Sequence, residues 1–177
     1  MSANTRLLFA INGLLGRSRA LDLFGLIGAR WAIVIMVAWY AYVIWYQHYF
    51  FSHNTQAAWL ATKATGIVWL IAWAMSIGIG LIARRPRPFI IHPQLKKLFK
   101  PLTTWKSFPS DHALGAWLLV FWALIIELPH LWTFVILALW VSWGRVYAAM
   151  HYPGDVAGGF ALAALVVAGV KFVAYYM

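Results

Sequence analysis

The chain has 177 residues, of which 64% are hydrophobic and 10% are charged, and its net charge is +10. Soluble domains average about 45–50% apolar and about 25% charged residues, so this composition excludes a soluble protein and predicts one membrane-embedded domain over residues 1–177. Seven of the fourteen Lys and Arg residues fall between Arg84 and Lys106, beside apolar spans, and form no soluble basic face. We therefore expect the lipid bilayer and an anionic lipid substrate as partners, and no nucleic acid.

Residue types that bind metals are scarce in this chain. Cysteine is absent, which excludes disulfides, thiolate metal sites and a cysteine nucleophile. The four carboxylates are scattered, at Asp22, Asp111, Glu127 and Asp155, so a two-metal carboxylate site is not expected. The sequence therefore predicts chemistry that uses neither a metal ion nor a cofactor.

The amino-terminal segment predicts a helix that lies in the membrane interface. Residues 4–18 carry large apolar side chains at helical spacing, with polar residues at the other positions. The apolar set is Leu7, Leu8, Ile11, Leu14 and Leu15. Amphipathic helices of this kind lie along the membrane surface with the apolar face in the lipid.

Five apolar runs predict five membrane spans, since a crossing helix needs about 20 residues. The runs cover residues 21 or 29 to 46, 57–83, 112–127, 131–149 and 156–176. We expect a polar loop over 47–56 and a long polar segment over 84–108, with a short helix around 94–100. The predicted fold is all-α, a polytopic bundle of about five transmembrane helices plus the interfacial helix. In this topology the amino terminus, the 84–108 segment and the turn at 149–154 share one face.

The first of three polar patches on that face is Arg85-Pro86-Arg87-Pro88, just after a span. Prolines bias the preceding residues toward extended backbone, and a guanidinium group is a planar, bidentate donor to phosphate. Taken alone, the patch is more typical of a basic cluster that follows a membrane span.

The second patch is Pro109-Ser110-Asp111-His112. It predicts a helix start with Ser110 as the N-cap and Asp111 in the first turn, where the free N–H groups also bind phosphate readily. A capped helix with an interfacial histidine explains the same four residues.

The third patch carries the most information, because Arg145 lies inside an apolar run with no acid near it in sequence. An unpaired cation in lipid is costly, and a bound phosphate would compensate it. His151 and Asp155, four residues apart across a Pro-Gly turn, suit a carboxylate-oriented imidazole in nucleophilic catalysis. The alternative is a histidine at a helix end with an aspartate capping the next helix.

In their order and spacing, the three patches resemble the motifs of the type 2 phosphatidic acid phosphatase (PAP2) superfamily over about residues 80–160. The matching residues are Arg87-Pro88, then Pro109-Ser110-Asp111-His112 except at Asp111, where the family usually has glycine, then Arg145, His151 and Asp155. Two motif residues are missing: Gly80 replaces a lysine and Gly144 replaces a serine. The Pro-Ser-Asp-His variant, the Arg-Pro-Arg-Pro-Phe run and the short length are most similar to the bacterial BcrC-type undecaprenyl diphosphatases.

The resemblance implies a metal-independent lipid phosphatase of the bacterial inner membrane, acting on a polyprenyl diphosphate. His151 is then the nucleophile that becomes phosphohistidine, Asp155 orients it, and His112 protonates the leaving oxygen and later activates water. Arg85 is expected to replace the missing lysine. The expected phosphate-binding residues are Arg87, Arg145, Ser110, Arg85 and Asp111.

Several alternatives remain open at this point. Among enzymes, phosphatidylglycerophosphate or phosphatidic acid is a second substrate class. A lipid-binding protein with a degenerate site would explain the missing lysine and serine, while a transporter is disfavoured because no inverted repeat is evident.

Two lines of reasoning about the orientation of the site in the membrane disagree with each other. The resemblance favours a site outside the cytoplasm. The positive-inside rule favours the cytoplasm, because twelve of the fourteen basic residues fall on the catalytic face and two, Lys63 and Lys171, fall opposite. We favour the outward-facing site.

Overall fold

The computed structural model describes residues 1–101 and 103–176, and 75% of the chain is helix, with no strand in the described part. In that part the helices are α1 (Ala3–Asn12), α2 (Arg19–Phe51), α3 (Thr55–Ala83), α4 (Pro88–Ile91), α5 (Asp111–Ile125), α6 (Leu131–Tyr147) and α7 (Pro153–Tyr176). The predicted all-α helical bundle is confirmed.

Three of these helices are long and apolar enough to cross a membrane, and two are shorter. α2, α3 and α7 contain 33, 29 and 24 residues and leave most of their apolar side chains exposed. α5 and α6, with 15 and 17 residues, extend about 22 and 26 Å, less than the roughly 30 Å of a hydrocarbon core. α5 contacts α2, α3, α6 and α7, so it forms the centre of the bundle.

α2 and α6 approach to backbone distance beside a π-helical turn of α2, Ile27–Trp31. A Cβ atom on Gly144 of α6 would lie 2.5 Å from the nitrogen of Ala29 and 3.0 Å from its Cα. Only glycine fits there, and small residues generally permit such close helix contacts. The Ala29 carbonyl accepts a hydrogen bond from Nη1 of Arg145 at 2.7 Å. A serine at position 144, as in the family pattern, would therefore collide with the backbone of α2.

α1 is fixed to the bundle by the buried side chain of Asn12. Its Nδ2 donates to the carbonyls of Tyr147 (2.8 Å) and Lys96 (2.9 Å), and its Oδ1 accepts from the Lys96 N–H (3.1 Å). The predicted interfacial helix over 4–18 is thus shorter than expected, and its last residue serves as an anchor. The contact holds the 84–108 segment over the end of α6.

Two predicted elements are wrong. The stretch 47–56 is helical as far as Phe51, in a π-helical turn where the rings of Trp45 and Tyr49 pack together, so residues 52–54 form the whole connection. The helix predicted around 94–100 does not form, because the backbone groups of Lys96 bond to Asn12 instead. A four-residue helix begins earlier, at Pro88, where a first-turn proline is favoured.

Replacing Gly144 with serine should destabilise the protein, because the added Cβ forces α2 and α6 apart. Overpacking of this kind costs roughly 1–3 kcal/mol, enough to lower Tm by several degrees. Thermal unfolding in detergent measures the effect, with Gly169→Ser as the matched control, since a Cβ there meets no atom within 4 Å. Equal Tm values for the two variants would contradict the close contact.

Candidate active site

The three polar patches meet at one cavity of about 370 Å³ on one face of the bundle. Its lining residues are Arg30, Trp31, Arg87, Phe99, Lys100, Pro101, Thr103, Asp111, His112, Arg145 and His151. Five predicted site residues are among them: Arg87, Asp111, His112, Arg145 and His151. Three lie outside the lining: Ser110, Arg85 and Asp155.

His151 lies in the connection between α6 and α7 with a buried imidazole. Its Nδ1 is 2.7 Å from the carbonyl oxygen of Ser107. A carbonyl only accepts hydrogen bonds, so Nδ1 carries the proton and Nε2 keeps a lone pair, toward which Nη2 of Arg145 points at 3.4 Å. Burial, with Arg145 and Arg87 nearby, lowers the pKa of His151 well below its ordinary value of 6.5. The neutral imidazole therefore presents a nucleophilic nitrogen to the cavity.

Asp155, fully buried at the start of α7, acts on His151 indirectly. Its Oδ2 is 4.0 Å from Nδ1 of His151, too far for a hydrogen bond. Instead Oδ2 accepts from the Ser107 hydroxyl and, at 2.8 Å, from the Tyr152 N–H. Asp155 thus holds Ser107, whose carbonyl orients the imidazole, where the sequence predicted a direct contact. Ser107 was missed, because nothing in its local sequence marks it.

Arg85 does not reach the cavity, in contrast to its predicted role as a phosphate contact. Its Nη1 bonds to Oδ1 of Asp155 at 2.7 Å, and its guanidinium group lies 4.3 Å from the centre of the Tyr152 ring. A fully buried carboxylate requires a compensating cation, and Arg85 supplies it. Arg85 therefore stabilises the Asp155 carboxylate and does not line the cavity.

Two of the three arginines that line the cavity, Arg87 and Arg145, retain donors that no protein atom uses in the described residues. Nε of Arg145 and Nη1 of Arg87 are buried and unpaired there. Another nitrogen of each group is hydrogen-bonded: Nε of Arg87 donates to the Lys106 carbonyl at 3.1 Å, and Nη1 of Arg145 donates to the Ala29 carbonyl. Two pre-positioned guanidinium groups beside a nucleophilic nitrogen suit the oxygens of a phosphoryl group.

Ser110 caps α5 rather than lining the cavity. Its hydroxyl is fully buried and accepts from the Ala113 N–H at 3.5 Å, the N-cap role that the sequence predicted. Its predicted contact with phosphate stays a prediction. His112, in the first turn of α5, lines the same cavity as His151.

Lys106 is a buried cation that the sequence reasoning missed. Its Nζ bonds to Oδ1 of Asp111 (2.7 Å) and to the hydroxyl of Ser76 (2.7 Å). A Cβ on Gly80 would lie 2.5 Å from Cδ of Lys106, so the lysine side chain runs through space that only a glycine leaves free. The structure therefore places Lys106, and not Arg85, beside the position of the missing lysine. Two changes from the family pattern could together have indicated the role of Lys106: the lysine lost at Gly80 and the acid gained at Asp111.

Within residues 1–101 and 103–176, no group of three or more His, Asp or Glu side chains is arranged to hold a metal ion. The predicted absence of a metal or cofactor stays a prediction.

Removing the Lys106 charge should lower activity, because an unpaired Asp111 carboxylate at the cavity repels an anionic substrate. We expect Lys106→Met to reduce kcat/KM for lipid phosphate hydrolysis by about tenfold or more, and Asp111→Asn in the same chain to restore part of the loss. Gly80→Ala should act like Lys106→Met by displacing the lysine. Gly78→Ala is the control, since a Cβ there meets no atom within 4 Å. Equal activity of the two alanine variants would contradict this assignment.

Known proteins share both sequence and fold with this chain. The undecaprenyl-diphosphatase BcrC of Bacillus subtilis (strain 168) is 29% identical over 163 residues, which cover 92% of this chain and 80% of that protein. The crystal structure of Aquifex aeolicus LpxE has a TM-score of 0.70 at 21% identity, covering 95% of this chain and 94% of LpxE.

A second solved structure, the first transmembrane PAP2 type phosphatidylglycerolphosphate phosphatase from Bacillus subtilis, has a TM-score of 0.66 at 20% identity. The superposition covers all of this chain and 89% of that one. The family model of the PAP2 superfamily matches residues 60–176, well over half of the sequence and all three polar patches. The chain belongs to the PAP2 superfamily.

Proposed function

We propose that this protein is a lipid diphosphatase that converts undecaprenyl diphosphate to undecaprenyl phosphate and inorganic phosphate through a phosphohistidine intermediate. The observation that carries the proposal is His151, whose unprotonated Nε2 faces the cavity beside two arginines with free donors. The name of the Bacillus subtilis relative, undecaprenyl-diphosphatase, supports this lipid as the substrate.

In the first step, Nε2 of His151 attacks the terminal phosphorus, and the bond from that phosphorus to the bridging oxygen breaks. Protonated His112 gives its proton to the bridging oxygen, so undecaprenyl phosphate leaves. The Ser107 carbonyl stabilises the charge that develops on the ring by holding the Nδ1 proton. Arg87 and Arg145 bind the phosphoryl oxygens as charge shifts onto them.

In the second step, His112, now neutral, removes a proton from a water molecule on the side of the phosphoryl group opposite His151. The resulting hydroxide attacks phosphorus, the nitrogen–phosphorus bond breaks, and inorganic phosphate leaves. His151 returns to its neutral form and His112 to its protonated form. Each histidine therefore ends the cycle as it began.

The second substrate class is a phosphomonoester lipid such as phosphatidylglycerophosphate. The fold similarity to the Bacillus subtilis phosphatidylglycerolphosphate phosphatase is the reason to test this alternative. Phosphate release from a panel of lipid phosphates by the purified protein separates the two substrate classes. A lipid-binding protein with a degenerate site would release no phosphate from any of them.

His151→Ala should abolish phosphate release, because the covalent step then has no nucleophile. His112→Ala should lower turnover by several orders of magnitude and trap the phosphorylated enzyme, since water activation depends on His112. Rapid quenching with labelled substrate measures the acid-labile phosphoenzyme, and unfolding in detergent checks that both variants are folded. Turnover by His151→Ala, or inhibition by a chelator that added divalent metal reverses, would contradict the mechanism.

We further propose that the protein lies in the bacterial plasma membrane with the cavity facing out of the cytoplasm, where a spent diphosphate carrier is released. Gln94, exposed in the 84–108 segment, marks the cavity face, and Ser52, exposed in the connection 52–54, marks the opposite face. The chain has no cysteine, so single-cysteine variants at these positions can be labelled without background.

In intact cells, a membrane-impermeant thiol reagent should label Gln94→Cys and leave Ser52→Cys unlabelled until the cells are opened. The reverse pattern would place the cavity in the cytoplasm, as the positive-inside rule suggests.

A further inference from the structure

The cavity contains a second pair of cations that none of the family motifs includes. Arg30 comes from the π-helical turn of α2, outside the part of the chain that the family model matches, and Lys100 comes from the 84–108 segment. The ring of Phe99 is close to one cation of this pair and to one of the two motif arginines. The guanidinium carbons of Arg30 and Arg145 are each 5.9 Å from the centre of that ring.

In residues 1–101 and 103–176, no carboxylate forms an ion pair with Arg30. Its guanidinium group lies over the rings of Trp31 and Phe99. The four acidic side chains that could serve as its counter-ion have other partners or lie far from it. Asp22 accepts from Tyr147, Asp111 binds Lys106, Asp155 binds Arg85, and Glu127 follows the far end of α5. Arg30 and Lys100 are both exposed, and cations that line a cavity without a carboxylate partner attract an anionic ligand into it.

The charge in the cavity exceeds what one phosphate group requires. A phosphate monoester carries about −1.5 to −2 at neutral pH, which Arg87 and Arg145 already balance. Since Lys106 neutralises Asp111, Arg30 and Lys100 add two uncompensated positive charges. A second phosphate group, joined to the first through an oxygen, would add a further negative charge to the ligand and offset part of this excess.

We propose that Arg30 and Lys100 form a subsite for the second, lipid-linked phosphate of a diphosphate substrate, so that the cavity selects diphosphates over monophosphates. The inference rests on the proposed function, because the terminal phosphate must lie at His151. In the first step of the reaction, electrons from the broken bond move onto the bridging oxygen of the departing lipid phosphate. The subsite stabilises this departing group as well as binding it.

The test compares farnesyl diphosphate with farnesyl monophosphate, which share one lipid tail. Replacing both Arg30 and Lys100 with glutamine should lower the ratio of the two kcat/KM values, diphosphate over monophosphate, by about tenfold or more. Lys97→Gln is the matched control, because Lys97 lies in the same segment but packs on Phe89 outside the cavity, and it should leave the ratio unchanged. Arg30→Lys with Lys100→Arg should keep most of the preference, since both charges remain.

A ratio that stays constant, whether both rates fall together or neither falls, would overturn the subsite, since general attraction of anions to a basic surface acts on both substrates. A binding measurement keeps this outcome separate from failure of the proposed function. Calorimetric titration with inorganic pyrophosphate and with inorganic phosphate should show a pyrophosphate preference that the glutamine variant loses, even if the wild type hydrolyses neither lipid. Equal affinities of the wild type for the two anions would also overturn the proposal.

Discussion

The site depends on the burial of Asp155, a fully enclosed carboxylate in a chain that has only four acids. A buried charge must be paired and fully hydrogen-bonded, so this one side chain draws together segments that are distant in sequence. Arg85, after α3, supplies the cation; Ser107, before α5, and the N–H of Tyr152, before α7, supply hydrogen bonds. The orientation of His151 follows from these contacts, because Ser107 also holds its Nδ1.

Gly144 and Gly80, which replace motif residues of the family, have one feature in common. At both positions a neighbouring group fills the space that a side chain would need. At Gly144, the backbone of α2 lies where a side chain would be, and at Gly80 the stem of Lys106 lies there. In the first case α2 gains a close contact and a carbonyl for Arg145. In the second the positive charge is kept and supplied from another segment, together with an acid that needs it. The missing motif residues therefore accompany a rearranged site and do not by themselves indicate a degenerate one.

The spans and the convergence of the patches could be predicted from the sequence, because they follow from the lengths of apolar runs and from their number. The N-cap role of Ser110 was also predictable, since it depends on neighbouring residues alone. The roles of Arg85 and Lys106 were not, because nothing in the polar segment itself indicates that Arg85 pairs with Asp155 and Lys106 with Asp111. Ser107 acts chiefly through a backbone carbonyl, which has no residue-type signature.

The contacts of the basic residues weaken the argument that their excess on the cavity face places that face in the cytoplasm. Of the twelve basic residues on the cavity face, seven line the cavity or bond to another segment of the chain: Arg30, Arg85, Arg87, Lys96, Lys100, Lys106 and Arg145. The positive-inside rule reflects the cost of moving charged loops across a membrane during insertion, and it is informative where nothing else requires the charge. A cavity that binds a phosphate-bearing headgroup requires cations on whichever side it opens. The bias that remains rests on Arg6, Arg17, Arg19, Arg84 and Lys97, a much weaker argument for a cytoplasmic site than the full count.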